Sequence, residues 1–102
     1  MRFMIHAQGI ELTEELHRLI HHRLHFALAR LEPNVGPVHV YLRDENGPRG
    51  GIAELCRLRA QIAGRELIVE RTHADIRNAI SAASDRLGDA ARRALARQAE
   101  RR

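Results

Sequence analysis

At 102 residues the chain has room for one hydrophobic core, and residues 1–102 read as a single domain. Hydrophobic residues at 44% and charged residues at 29% exclude a disordered tail, and no apolar run approaches the ~20 residues that a membrane span needs. Arginine supplies all 17 basic side chains against 13 Asp plus Glu, giving +4 with histidine neutral, which points to a polyanionic partner.

Seven histidines add charge in mild acid, so polyanion binding should strengthen as the pH falls through the imidazole range. The lone Cys56 forms no internal disulfide, which fits a reducing compartment. No signal-peptide pattern opens the chain, so the cytoplasm is the expected location.

Residues 2–8 alternate with period two, placing Phe3, Ile5 and Ala7 on one face of a half-buried strand and Met4, His6 and Gln8 on the other. After Gly9, Thr13 is an N-cap type, with Glu14 and Glu15 suited to the positive end of a helix. Leu16, Ile20, Leu24, Ala27, Leu28 and Leu31 then form one apolar stripe over about five turns. Pro33 and Pro37 end this helix in a turn over residues 32–37.

Val38, Val40 and Leu42 alternate with His39, Tyr41 and Arg43 as a second strand, followed by a turn-rich loop over residues 44–51. Cys56, Leu58, Ala60 and Ile62 mark a third strand with Cys56 facing inward. Ala63-Gly64 is a hairpin turn, and Leu67 and Val69 lie in a fourth strand over residues 65–71. Thr72 and Asp75 have capping-box spacing for a second helix, whose stripe is Ile76, Ala79, Ile80, Ala83, Leu87, Ala90 and Ala94. That helix should run toward the C-terminus, fraying after Leu95, and Gly88 should weaken it by about 1 kcal/mol relative to alanine.

The order βαβββα predicts an α+β fold of two layers, a four-stranded sheet with both helices on one face. The first two strands should be parallel through a right-handed helical crossover.

This order, with Glu11-Leu12-Thr13-x-x-Leu16, Val38-x-Val40-x-Leu42, Asp75-x-x-x-Ala79-Ile80 and Asp85-Arg86-Leu87, resembles the ribosome hibernation promoting factor and ribosome-associated inhibitor A family, which includes protein Y. Residues 44–47 and Cys56 place the chain in a divergent branch, and its length is that of the short, hibernation-promoting type. The resemblance implies a double-stranded-RNA-binding-like fold that docks on the small ribosomal subunit and its ribosomal RNA, in the messenger and transfer RNA channel, and silences ribosomes by occupancy. It also implies basic residues at His17, His22, Arg23 and Arg86.

Binding a dense phosphate field requires several cations on a rigid surface. The candidates are Arg18, His22 and Arg23 on the first helix and Arg86, Arg92, Arg93 and Arg97 on the second. Helical spacing puts Arg86, Arg93 and Arg97 along one edge of the apolar stripe and Arg92 on the more exposed side. The competing reading of these charges is a solvated helix back, with Asp89 pairing Arg93 at i,i+4.

His17, His21 and His25 at i,i+4 spacing supply too few ligands for a tetrahedral metal site, so no metal or other cofactor is expected. Asp44-x-Asn46-Gly47 departs from a calcium loop at Pro48. The outer sheet face offers Tyr41 alone among large aromatics, too few for base stacking of the RNA recognition motif kind. No nucleophile with a base, paired carboxylates or phosphate-binding glycine loop is assembled, so neither catalysis nor a small-molecule substrate is expected. An alternative function is a regulatory protein-interaction module that kept the fold and lost the ribosome.

Overall fold

The period-two segments form four strands and the 3.6-residue stripes form two helices in the computed structural model, which describes residues 1–45 and 53–101. The order is β1 (Phe3–Gln8), α1 (Glu14–Leu28), a 3-10 turn (Ala29–Leu31), β2 (Val35–Asp44), β3 (Glu54–Ile62), β4 (Arg65–His73) and α2 (Ile76–Glu100). Most of the turn-rich loop, including Asn46, Gly47 and Pro48, lies outside the described residues.

The sheet order is β1-β2-β3-β4. β1 runs parallel to β2 with Phe3 opposite Val38, and β2–β3 and β3–β4 are antiparallel. Inward residues Val40, Leu42, Cys56, Leu58, Ala60 and Ile62 are buried beneath Leu16, Ile20, Leu24 and Leu28 of α1 and Ile76, Ala79, Ile80, Ala83 and Leu87 of α2. Both helices therefore cover one face of the sheet, as the apolar patterning predicts.

Four local expectations are corrected. Ala7 is exposed, so the core face of β1 rests on Phe3 and Ile5. β2 begins at Val35, with Pro37 accommodated where the register shifts between Val35 and Val38, since a bulge spares the missing amide a ladder partner. A Cβ on Gly36 would stand 3.0 Å from Gln61 Cβ, so the strands approach closely there and a side chain would have to displace Gln61 slightly.

Thr72 does not cap α2. β4 continues through it to pair His73 with Glu54, and the N-cap is Asp75, which accepts a 2.9 Å bond from the Arg77 amide. Glu54 of β3 accepts a 2.9 Å bond from the Ile76 amide, so a sheet carboxylate satisfies a second orphan donor of the helix. By contrast, Thr13 caps α1 as read, accepting from the Leu16 amide at 3.1 Å.

Finally, α2 buries Ser84, Gly88 and Ala91, whereas Ala90 is half-buried, and the helix stays regular to Glu100, its side chains exposed from Ala96 onward. Gly88 faces α1: a Cβ there would meet the Ala27 carbonyl oxygen at 3.2 Å and the Ala27 Cβ at 3.3 Å. The first turns of the helices also adjoin, with Thr13, Glu15 and Leu16 around one hollow with Ile76 and Arg77. Start beside start, and Ala27 beside Gly88, mean that α1 and α2 run parallel.

The hairpin residues Ala63 and Gly64 both have positive φ, 53° and 76°, the geometry of a type I′ turn. Alanine is strained there by about 1–2 kcal/mol. Ala63→Asn should therefore stabilise the protein by about 0.5–1 kcal/mol, read as a rise of about 2–8 °C in the thermal midpoint.

Candidate nucleic-acid interface

Because the four buried leucine-type positions of α1 fill one side, its remaining arc is left to polar residues. Acids occupy the start, at Glu14 and Glu15, and from His17 to Arg30 every ionisable residue is a base. α2 repeats the gradient less strictly, with Asp75 at its cap and Arg92, Arg93 and Arg97 toward its end. Each arrangement suits the dipole of its own helix. The parallel course of the helices adds the two gradients, so the basic ends lie toward the same end of the layer.

The predicted residues divide by environment. Arg18 is exposed but bound to Glu14 at 2.9 Å, and Arg92 is ion-paired with Asp89. Asp89 thus pairs at i,i+3 with Arg92 and not with Arg93, whose Nε reaches only the Asp89 backbone carbonyl at 3.4 Å. Arg86, Arg93 and Arg97 form no ion pair among the described residues; Arg93 and Arg97 are exposed and Arg86 is half-buried.

At about 100° per residue, Arg86, Arg93 and Arg97 lie roughly 140–180° around the helix from Gly88. They occupy the flank of α2 turned away from α1. Arg92 is the one that folds back toward α1, its Nη1 3.4 Å from where a Gly88 Cβ would stand. The structure therefore joins Arg92 with α1 and sets Arg86, Arg93 and Arg97 apart along the outer flank, an arrangement that stripe position alone does not distinguish.

On α1, His22 is exposed, and Arg23 is half-buried with its Nε enclosed and without a hydrogen-bond partner among the described residues. Ser84 Oγ is in the same condition on α2. Both stand one turn before the Ala27–Gly88 contact, so Arg23 belongs to the seam between the helices and only its outer nitrogens are positioned to serve a ligand.

His21 packs edge-to-face on Phe3 at 4.9 Å and against the His17 ring at 4.5 Å. Desolvation, then the His17 charge, lowers its pKa from the ordinary 6.5. Its neighbours His22, His25 and Glu32 line the same hollow. Above pH 6.5 His21 is neutral folded or unfolded and contributes nothing. As the pH falls below that value the unfolded chain takes the proton first, and stability is lost until the lower folded pKa is passed. Urea unfolding at about pH 7.5 and about pH 5 should show a smaller acid loss for His21→Gln than for the wild type.

The outer sheet face carries more rings than Tyr41 alone. His6, His39 and Tyr41 stack, with His6–Tyr41 centroids 5.0 Å apart at 16°, and the Arg59 guanidinium lies 5.9 Å from the Tyr41 ring. The shared outward parity of these three residues on neighbouring strands was the available signal, obscured when histidine is counted only as a charge. On this face Arg57 is bound to Glu70 at 2.7 Å.

Cys56 is fully buried, and burial pushes its thiol pKa up to about 12. It should resist thiol reagents until the protein unfolds, which a timed disulfide-exchange assay in native buffer and in denaturant would check.

A family model described as sigma 54 modulation protein / S30EA ribosomal protein matches residues 3–102. Among curated proteins, none matches the chain in sequence. Among solved structures, a ribosomal subunit interface protein from Coxiella burnetii superposes with a TM-score of 0.78 at 14% identity, covering 94% of this chain and 99% of that one. The N-terminal domain of protein Y from Thermus thermophilus superposes with a TM-score of 0.74 at 20% identity, covering 91% and 98% respectively. At such identities the two superpositions establish the shared fold.

Proposed function

Because the chain belongs to the sigma 54 modulation protein / S30EA ribosomal protein family, we propose that it is a ribosome-associated hibernation or translation-inactivation factor. It binds the small ribosomal subunit through the basic ends of its two helices, acts by occupancy and without catalysis, and works in the cytoplasm as a single domain. The observation that carries this reading is the parallel helix pair, which turns His22, His25 and Arg30 of α1 and Arg92, Arg93 and Arg97 of α2 toward the same end of a rigid layer, with Arg93 and Arg97 on its outer flank.

Phosphate recognition suits that surface. Guanidinium groups give forked, charge-assisted hydrogen bonds to phosphate oxygens, and a sheet-backed helix holds them without the ordering cost of a loop. The solved structures described as a ribosomal subunit interface protein and as protein Y agree with the assignment in kind. Sucrose-gradient fractionation of starved cells tests it: the protein should sediment with small subunits or whole ribosomes. Recovery wholly at the top of the gradient would refute it.

A protein-interaction module is the competing reading, favoured by the outer sheet face with its stacked rings and its neutralised Arg57. Intact function after charge reversal of Arg86, Arg93 and Arg97, in a protein that does not sediment with ribosomes, would favour that alternative.

A further inference from the structure

Phe26 is 79% exposed, far more than Met1, Leu12 or Ile68, the other large apolar side chains at the surface. The packing of α1 does not require it, since Leu16, Ile20, Leu24 and Leu28 already fill the face toward the sheet. It stands beside a depression of about 650 Å³ bordered also by His25, Arg30, Leu31 and Arg92. No acid among the described residues lines this hollow, although Asp89 pairs with Arg92 at its rim.

Two helices build it. α1 ends at Leu28 and tightens into the 3-10 turn that carries Arg30, while Arg92 crosses from α2 over Gly88. Arg30 has no ion pair among the described residues, and Arg92 is oriented by Asp89. One exposed aromatic face thus stands among two guanidinium groups and an imidazole.

We propose that this hollow receives an unpaired ribonucleotide, with its base stacked on Phe26 and its phosphate held by Arg30, the guanidinium there that forms no ion pair among the described residues. The inference rests on the RNA-binding reading above and deepens it by naming the kind of RNA element engaged. Charge complementarity selects a polyanion, and the exposed ring selects a polyanion with flat, accessible faces. Bases within an A-form duplex are already stacked and present no such face, so the element is a loop, bulge or single strand.

The test uses the full chain with Phe26→Ala, Phe26→Leu and Phe26→Trp, on purified small ribosomal subunits and on oligouridylate. Exposure of the site leaves folding intact, which an unchanged melting temperature checks. Phe26→Ala and Phe26→Leu should each weaken subunit binding by about 5- to 100-fold while leaving its salt dependence unchanged, because stacking releases no counterions. Phe26→Trp should bind at least as well as wild type. The natural chain has no tryptophan, so the fluorescence of that variant reports this site alone and should be quenched by both RNAs.

Wild-type affinity in Phe26→Ala would overturn the proposal. So would full restoration by Phe26→Leu with no quenching by oligouridylate, which would mark an apolar contact to a protein. Quenching by oligouridylate without subunit binding by the wild type would sink the ribosome reading and leave the nucleotide site standing.

Discussion

Combined Arg86→Glu, Arg93→Glu and Arg97→Glu substitution should lower affinity for purified small ribosomal subunits by at least about a hundredfold. Each hydrogen bond to a charged group contributes about 1.5–3 kcal/mol net, so losing two of three contacts already suffices. The three side chains lie on the outer flank of α2 and form no ion pair among the described residues, so their charge is available to phosphate. The effect should be mostly electrostatic. In equilibrium titrations at several salt concentrations, the slope of log K against log salt should become shallower by about 2–3. Arg57→Gln is the control: this residue is already bound to Glu70 on the opposite face, and its removal should change the slope little.

Gly88→Leu should destabilise the protein by about 1–3 kcal/mol, the usual penalty for forcing bulk into a closed contact. Even a bare Cβ would meet the Ala27 carbonyl oxygen at 3.2 Å, and that backbone atom belongs to a helix anchored by Leu24 and Leu28. Leucine must therefore push α1 and α2 apart. Gly88→Ala should be nearly neutral, because a helix-propensity gain of about 1 kcal/mol offsets the tight contact. Urea unfolding of both variants checks this, and equal stability of Gly88→Leu and wild type would show that the helices do not meet as described. The folded fraction of Gly88→Leu should also bind small subunits more weakly, since Arg92 and the α1 bases would no longer share one hollow.

The architecture was legible because each element obeys its own period. Leu16, Ile20, Leu24 and Leu28 lie on one helical face and Val38, Val40 and Leu42 on one strand face, as local sequence requires. Misreadings arose where a distant segment overrode a local signal. Thr72 has the spacing of a helix cap, yet β3 offers it a ladder partner at Leu55, and the helix start moves to Asp75 with Glu54 supplying the added acceptor. Ala91 is buried in place of Ala90 because α1, a second neighbour beside the sheet, widens the covered arc of α2 through Ser84 and Gly88.

The candidate site was legible as a set of residues and less so as a surface. Composition and spacing found the arginines, but only the fold shows that the helices run parallel and add their charge gradients. Gly88 reads locally as a weak point; in three dimensions it is the crossing that admits Arg92 to α1. Phe26 falls outside the apolar stripe of α1, and nothing in its own segment shows that a cation from α2 will join it.

The proposal that the helix face meets ribosomal RNA is tested most directly by tethered hydroxyl-radical probing. Buried Cys56 is inert, so one added cysteine can carry the iron chelate without competition. The probe attached to Ala96→Cys, exposed on α2, should cleave small-subunit RNA strongly, and the probe attached to Ile68→Cys, 58% exposed on β4, should cleave weakly. Strong cleavage from β4 with silence from α2 would contradict the account.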